Sequence, residues 1–68
     1  MSTLALSRLT VSNNVEFQNR IDDADPYICA RHELQQLIDD APDEYAMGYL
    51  AGIFNMRQMQ SILTGRTF

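Results

Sequence analysis

The chain contains no tryptophan, no lysine and a single cysteine, and it has only two prolines and three glycines. One cysteine, Cys29, forbids an intramolecular disulfide and fits a reducing interior. Without lysine, five arginines stand against nine acids, for a net charge of −4. Those arginines (Arg8, Arg20, Arg31, Arg57 and Arg66) are scattered along the chain. Nucleic acid and anionic membranes both require clustered positive charge, so neither direct nucleic-acid binding nor membrane binding is expected. Residues 1–12 lack the basic start of a signal peptide. The apolar run from Tyr45 to Phe54 is about half of what a bilayer crossing needs. The expectation is a soluble, cytoplasmic protein. There is no glycine-rich phosphate loop. Asp22, Asp23 and Asp25 lack the glycine and closing glutamate of a calcium loop.

What is present is apolar surface. Hydrophobic residues make up 46% of the 68 and charged ones only 21%, so composition does not favour disorder. A single domain this short buries roughly 60% of the surface that its unfolded chain exposes. With no disulfide to help, self-association is the simplest way to cover the remainder.

The stretch Tyr45 to Leu63 reads as a long helix. Its first ten residues carry no charge and no amide. At about 100° per residue, Tyr45, Gly48, Tyr49, Gly52, Met56, Met59 and Leu63 share one stripe, and Ala46, Leu50, Ile53 and Phe54 form a second face beside it. A helix that is apolar most of the way round needs cover on more than one side. Gly65 stands where a helix C-cap glycine belongs, and Phe68 is placed to fold back on the last turn.

Ahead of that helix the pattern predicts two shorter ones. Asn13 reads as an N-cap with Glu16 as its capping-box partner, and Phe17, Ile21 and Ala24 follow at helical spacing. A hairpin pairing Leu9 and Val11 with Val15 and Phe17 is the alternative. Asp25-Pro26 reads as the start of the middle helix, with Tyr27, Ala30, Leu34, Leu37 and Ala41 inward. The expected architecture is all-α: an extended N-terminal arm over 1–12, then a helical domain over 13–68 with helices near 13–24, 26–39 and 43–63. The two joints, Ile21 to Tyr27 and Ile38 to Tyr45, resemble each other in an acidic pair, a proline and an inward tyrosine.

Gly48 and Gly52 each cost about 1 kcal/mol against alanine in a helix, which points to close approach of another helix rather than to a ligand pocket. The residues expected to serve self-association or helix packing are Tyr45, Gly48, Tyr49, Gly52, Ile53, Met56, Met59 and Leu63. The acids Asp22, Asp23, Asp25, Asp39, Asp40, Asp43 and Glu44 concentrate at the two joints. They suit helix N-termini, or they form a surface for a basic protein partner, with an acidic inhibitor that occupies such a partner's nucleic-acid-binding face as the alternative. Cys29 and His32, one turn apart, are half a zinc site that only a dimer could complete. They lack the third group that would orient a nucleophile. No catalytic residue and no cofactor is expected.

Ser12-Asn13-Asn14-Val15-Glu16-Phe17-Gln18-Asn19-Arg20-Ile21 and Tyr45-Ala46-Met47-Gly48-Tyr49-Leu50-Ala51-Gly52 together resemble small uncharacterised accessory proteins of tailed bacteriophages and prophages. The resemblance covers about a quarter of the chain. It implies a protein that acts by binding another protein, and it carries no catalytic residues over.

Overall fold

Residues 14–68 are described by a computed structural model. The expected arm over 1–12 and Asn13 lie outside the described residues. Three helices follow: α1 (Val15–Ala24), α2 (Arg31–Asp39) and α3 (Glu44–Thr64). No strand occurs among the described residues, so the all-α expectation holds. Val15 and Phe17, which the hairpin alternative needed in a strand, lie in α1.

The cap of α1 is Asn14, whose side-chain oxygen accepts from the Phe17 N–H at 2.8 Å. That is one residue later than expected, and Glu16 becomes the second helical residue instead of the third. The expected capping-box register is therefore lost, and one shared side carries the buried Phe17 and Ile21.

The largest correction concerns the first joint. Asp25 does not start a helix; it ends one. Its backbone is left-handed at φ 47°, and its N–H returns to the Ile21 carbonyl at 3.0 Å. Aspartate is among the few residues that enter this region at low cost. The Asp25 carbonyl then accepts from the N–H groups of Ile28 and Cys29 at 2.9 and 3.0 Å, closing a turn over 26–29. α2 starts only at Arg31, so Tyr27 and Ala30 lie ahead of it and are both exposed, against expectation. Leu34 and Leu37 are buried as expected.

The second joint follows a different design. Asp43 caps α3 by accepting from the Ala46 N–H at 2.8 Å, two residues after the turn that ends α2. The likeness between the joints is thus one of composition. At the far end Gly65 takes the expected left-handed C-cap at φ 69°. Phe68 folds back edge-on to Phe54, with ring centroids 5.2 Å apart.

α2 lies in the middle, packed against α1 on one side and α3 on the other. The core is Phe17, Ile21, Cys29, Leu34, Leu37, Ala46, Leu50 and Ile53, with Leu34 and Leu50 fully enclosed. α3 thus turns its Ala46-Leu50-Ile53 face inward. The stripe that contains both glycines faces out, except for Tyr49, which is partly buried against the core.

Candidate interaction surface

Three consequences of that packing define the site. The first is the outward face of α3. Tyr45, Met59 and Leu63 are 69%, 64% and 81% exposed, and Met56, Gly48 and Gly52 are exposed beside them. Tyr45 was expected to point inward and does not. A β-carbon placed at Gly48 or Gly52 would meet nothing within 4 Å, so the glycines do not mark a close helix approach within the chain. Of the set expected for self-association or helix packing, Ile53 packs between helices within the chain, on the inward face at 4% exposed. Beyond Arg57 every residue of α3 except Ser61 is exposed. Large exposed apolar side chains that fall together on one face, unlike scattered ones, mark an interaction surface.

The second consequence is a polar tie between α3 and the 26–29 turn. Arg57 is the one charged side chain between Glu44 and Arg66. It points away from the outward stripe, and its Nη1 donates to the carbonyl oxygens of Pro26, at 3.0 Å, and Cys29. The same nitrogen lies 3.8 Å from the Cys29 sulfur. Phe68 covers it, with the guanidinium carbon 4.2 Å from the ring centre. From the start of α2, Arg31 stacks over Phe54 at 5.1 Å and Phe68 at 5.7 Å, so Phe68 lies between two guanidinium groups. Sequence reasoning missed this role of Arg57. The signal was available: a lone cation on a helix without other charges needs carbonyl partners from a neighbouring element.

The third is a tyrosine pair where the first joint meets α3. The Tyr49 hydroxyl donates to that of Tyr27, and the Tyr49 pKa is pushed up to about 12. Burial is the main cause, followed by Tyr27 and by the negative charges of Asp22 and Asp25. The exposed Tyr27 ring thus extends the outward apolar face beyond α3 itself.

The acids are more dispersed and more engaged than their clustering in sequence suggests. Asp40 pairs with Arg20 at 3.1 Å across the molecule, and both are about half exposed. Asp22 and Asp39 accept from Gln18 and Gln35 within their own helices. Asp43 caps α3, Asp25 closes α1, and Asp23 and Glu44 are exposed.

Cys29 and His32 do not come together. Cys29 is buried beneath Arg57, and its sulfur donates to the Pro26 carbonyl at 3.9 Å. His32 is 82% exposed and nearest Glu33, at 4.0 Å. Among the described residues, no three histidine, cysteine or acidic side chains are grouped to hold a metal ion. An open hollow of about 380 Å³ lies between the end of α3 and the chain's last residues, with Tyr27, Arg57, Gln60, Ser61 and Phe68 in its wall. Among the described residues, no aspartate, glutamate, histidine or cysteine side chain lines it. No described helix is long and apolar enough to cross a membrane. No protein-family model matches the chain, and no curated protein or solved structure matches it either.

Proposed function

We propose that the chain is a small non-enzymatic protein–protein interaction module that self-associates through the outward face of α3. One observation carries this reading: the core takes only the Ala46-Leu50-Ile53 side of an apolar helix, and Tyr45, Met56, Met59 and Leu63 stand in solvent on the other. Burying such side chains is worth roughly 1.5–3 kcal/mol each, so a surface of this kind favours association. The phage-protein resemblance agrees with a binding role. Arg20, Arg31 and Arg57 are committed to contacts within the chain, which argues against phosphate binding.

A charge in the middle of the face tests this reading. Met59→Glu should convert the associated form to monomer and leave the helical circular dichroism unchanged, since Met59 touches no part of the core. An assembly whose mass is the same in wild type and variant would count against it.

A further inference from the structure

The outward face has a finer pattern than mere exposure. Tyr45, the partly buried Tyr49 at the inner edge of the face, Gly52, Met56, Met59 and Leu63 follow one another at alternating steps of four and three residues. That 3.5-residue average is the period of a seam along which two helices pair. The seam runs for roughly 27 Å at 1.5 Å per residue. Its flanks carry Gly48, Asn55, Ile62 and Gln60, with no charge between Glu44 and Arg66 except Arg57, which is turned inward. Flanking charges are what select a different partner helix. Without them, the seam is matched best by itself.

Resting on the proposed self-association, we infer that two copies pair α3 to α3 in antiparallel fashion, centred at the level of Phe54. In that register Tyr45 faces Leu63 of the second copy, Tyr49 faces Met59, and Gly52 faces Met56. The open space over Gly52 receives the long, adaptable Met56 side chain. A parallel pair would instead set Gly52 against Gly52 and leave that space unfilled. Charge points the same way. Antiparallel pairing brings Asp43 and Glu44 of one copy beside Arg66 of the other and sets the two helix dipoles in opposite directions, side by side. Parallel pairing would put two copies of Asp43 and Glu44 at one end, where like charges repel.

Cross-linking in the full chain tests the direction. Tyr45 and Leu63 are exposed in the single chain, so cysteine at either position leaves the fold intact. Tyr45→Cys and Leu63→Cys are prepared separately, each with Cys29→Ala, distinguished by mass and oxidised alone and mixed. Light scattering is recorded on the same samples. The expected result is a dimer mass, with the mixed disulfide at least about tenfold more abundant than the Tyr45→Cys homodimer. A dimer mass without the mixed disulfide, or with Tyr45→Cys linking to itself equally well, overturns the antiparallel register and leaves self-association standing. A mass of 7.8 kDa throughout overturns both.

Discussion

Arg57 on α3 donates to the carbonyl oxygen of Pro26 at 3.0 Å, a contact that joins residues 31 apart in sequence. It fastens the long helix to the turn that α1 and α2 share. The carbonyls of Pro26 and Cys29 are thereby satisfied by one nitrogen, and Phe68 shields the contact from water. Truncating Arg57 would leave the Cys29 carbonyl without this donor and the Pro26 carbonyl with only the weak Cys29 thiol contact, which costs about 1–3 kcal/mol. Arg57→Met, which keeps the apolar stem, should therefore lower stability by that amount in urea denaturation. Arg57→Lys should recover only part of it, because an ammonium cannot reproduce the planar fork. A change within about 0.5 kcal/mol, the range of ordinary surface substitutions, would show that the tie contributes nothing.

The Tyr27–Tyr49 pair gives the fold an alkaline signature. Tyr49 ionises in the unfolded chain at about 10 and in the folded chain at about 12. The folded state holds its proton more tightly, so the contribution to stability is complete below pH 10 and fades as pH rises towards 12. Tyrosinate absorbance should show one of the three tyrosines titrating late, and Tyr49→Phe should remove that phase. Absence of that late phase from the wild type would mean that the pair does not form.

The acids at the second joint separate into different roles. Asp43→Ala removes a helix cap and should cost about 0.5–2 kcal/mol, whereas Asp43→Asn, an equally good cap, should cost little. Asp40→Ala breaks only an exposed pair with Arg20, for about 0–1 kcal/mol. Thermal melts of the three variants should place Asp43→Ala lowest and the other two close to wild type. An Asp40→Ala loss larger than that of Asp43→Ala would reverse the assignment. For a basic partner, amides at Asp39, Asp40, Asp43 and Glu44 should slow association and flatten its salt dependence, with helicity intact.

Much of this arrangement was legible from side-chain order, and the exceptions have physical causes. The long helix, its Gly65 cap and the return of Phe68 all follow from local signals that no tertiary contact opposes. The inward direction of α3 was not legible. Tyr45-Gly48-Gly52 and Ala46-Leu50-Ile53 are both apolar, so periodicity names two faces without ranking them. Leu34 and Leu37 decide between them, and that is a fact of packing. Asp25-Pro26 misled for another reason: aspartate serves both as a helix N-cap and in a left-handed turn, and the backbone hydrogen bond to Ile21 selects the second. Glu16 follows from the same kind of slip, since Asn13 and Asn14 are equally good caps and only the placement of Phe17 and Ile21 in the core chooses.

Gly52 distinguishes the single chain from the assembly. With open space around it, Gly52→Ala should stabilise the isolated chain by up to about 1 kcal/mol through helix propensity alone. Gly52→Leu should also leave the isolated chain no less stable at concentrations where it is monomeric. In the proposed antiparallel pair the leucine would meet Met56 of the second copy, and overpacking there would cost about 1–3 kcal/mol. Chemical denaturation at two protein concentrations separates these effects. A leucine variant that is destabilised when fully dilute would place Gly52 in a contact within its own chain.

The most direct test of the central claim is the mass of the unmodified chain by sedimentation equilibrium, from low to high micromolar concentration. The exposed seam of α3 predicts a reversible shift from 7.8 kDa towards twice that value as concentration rises. A single species of 7.8 kDa over the whole range would contradict it.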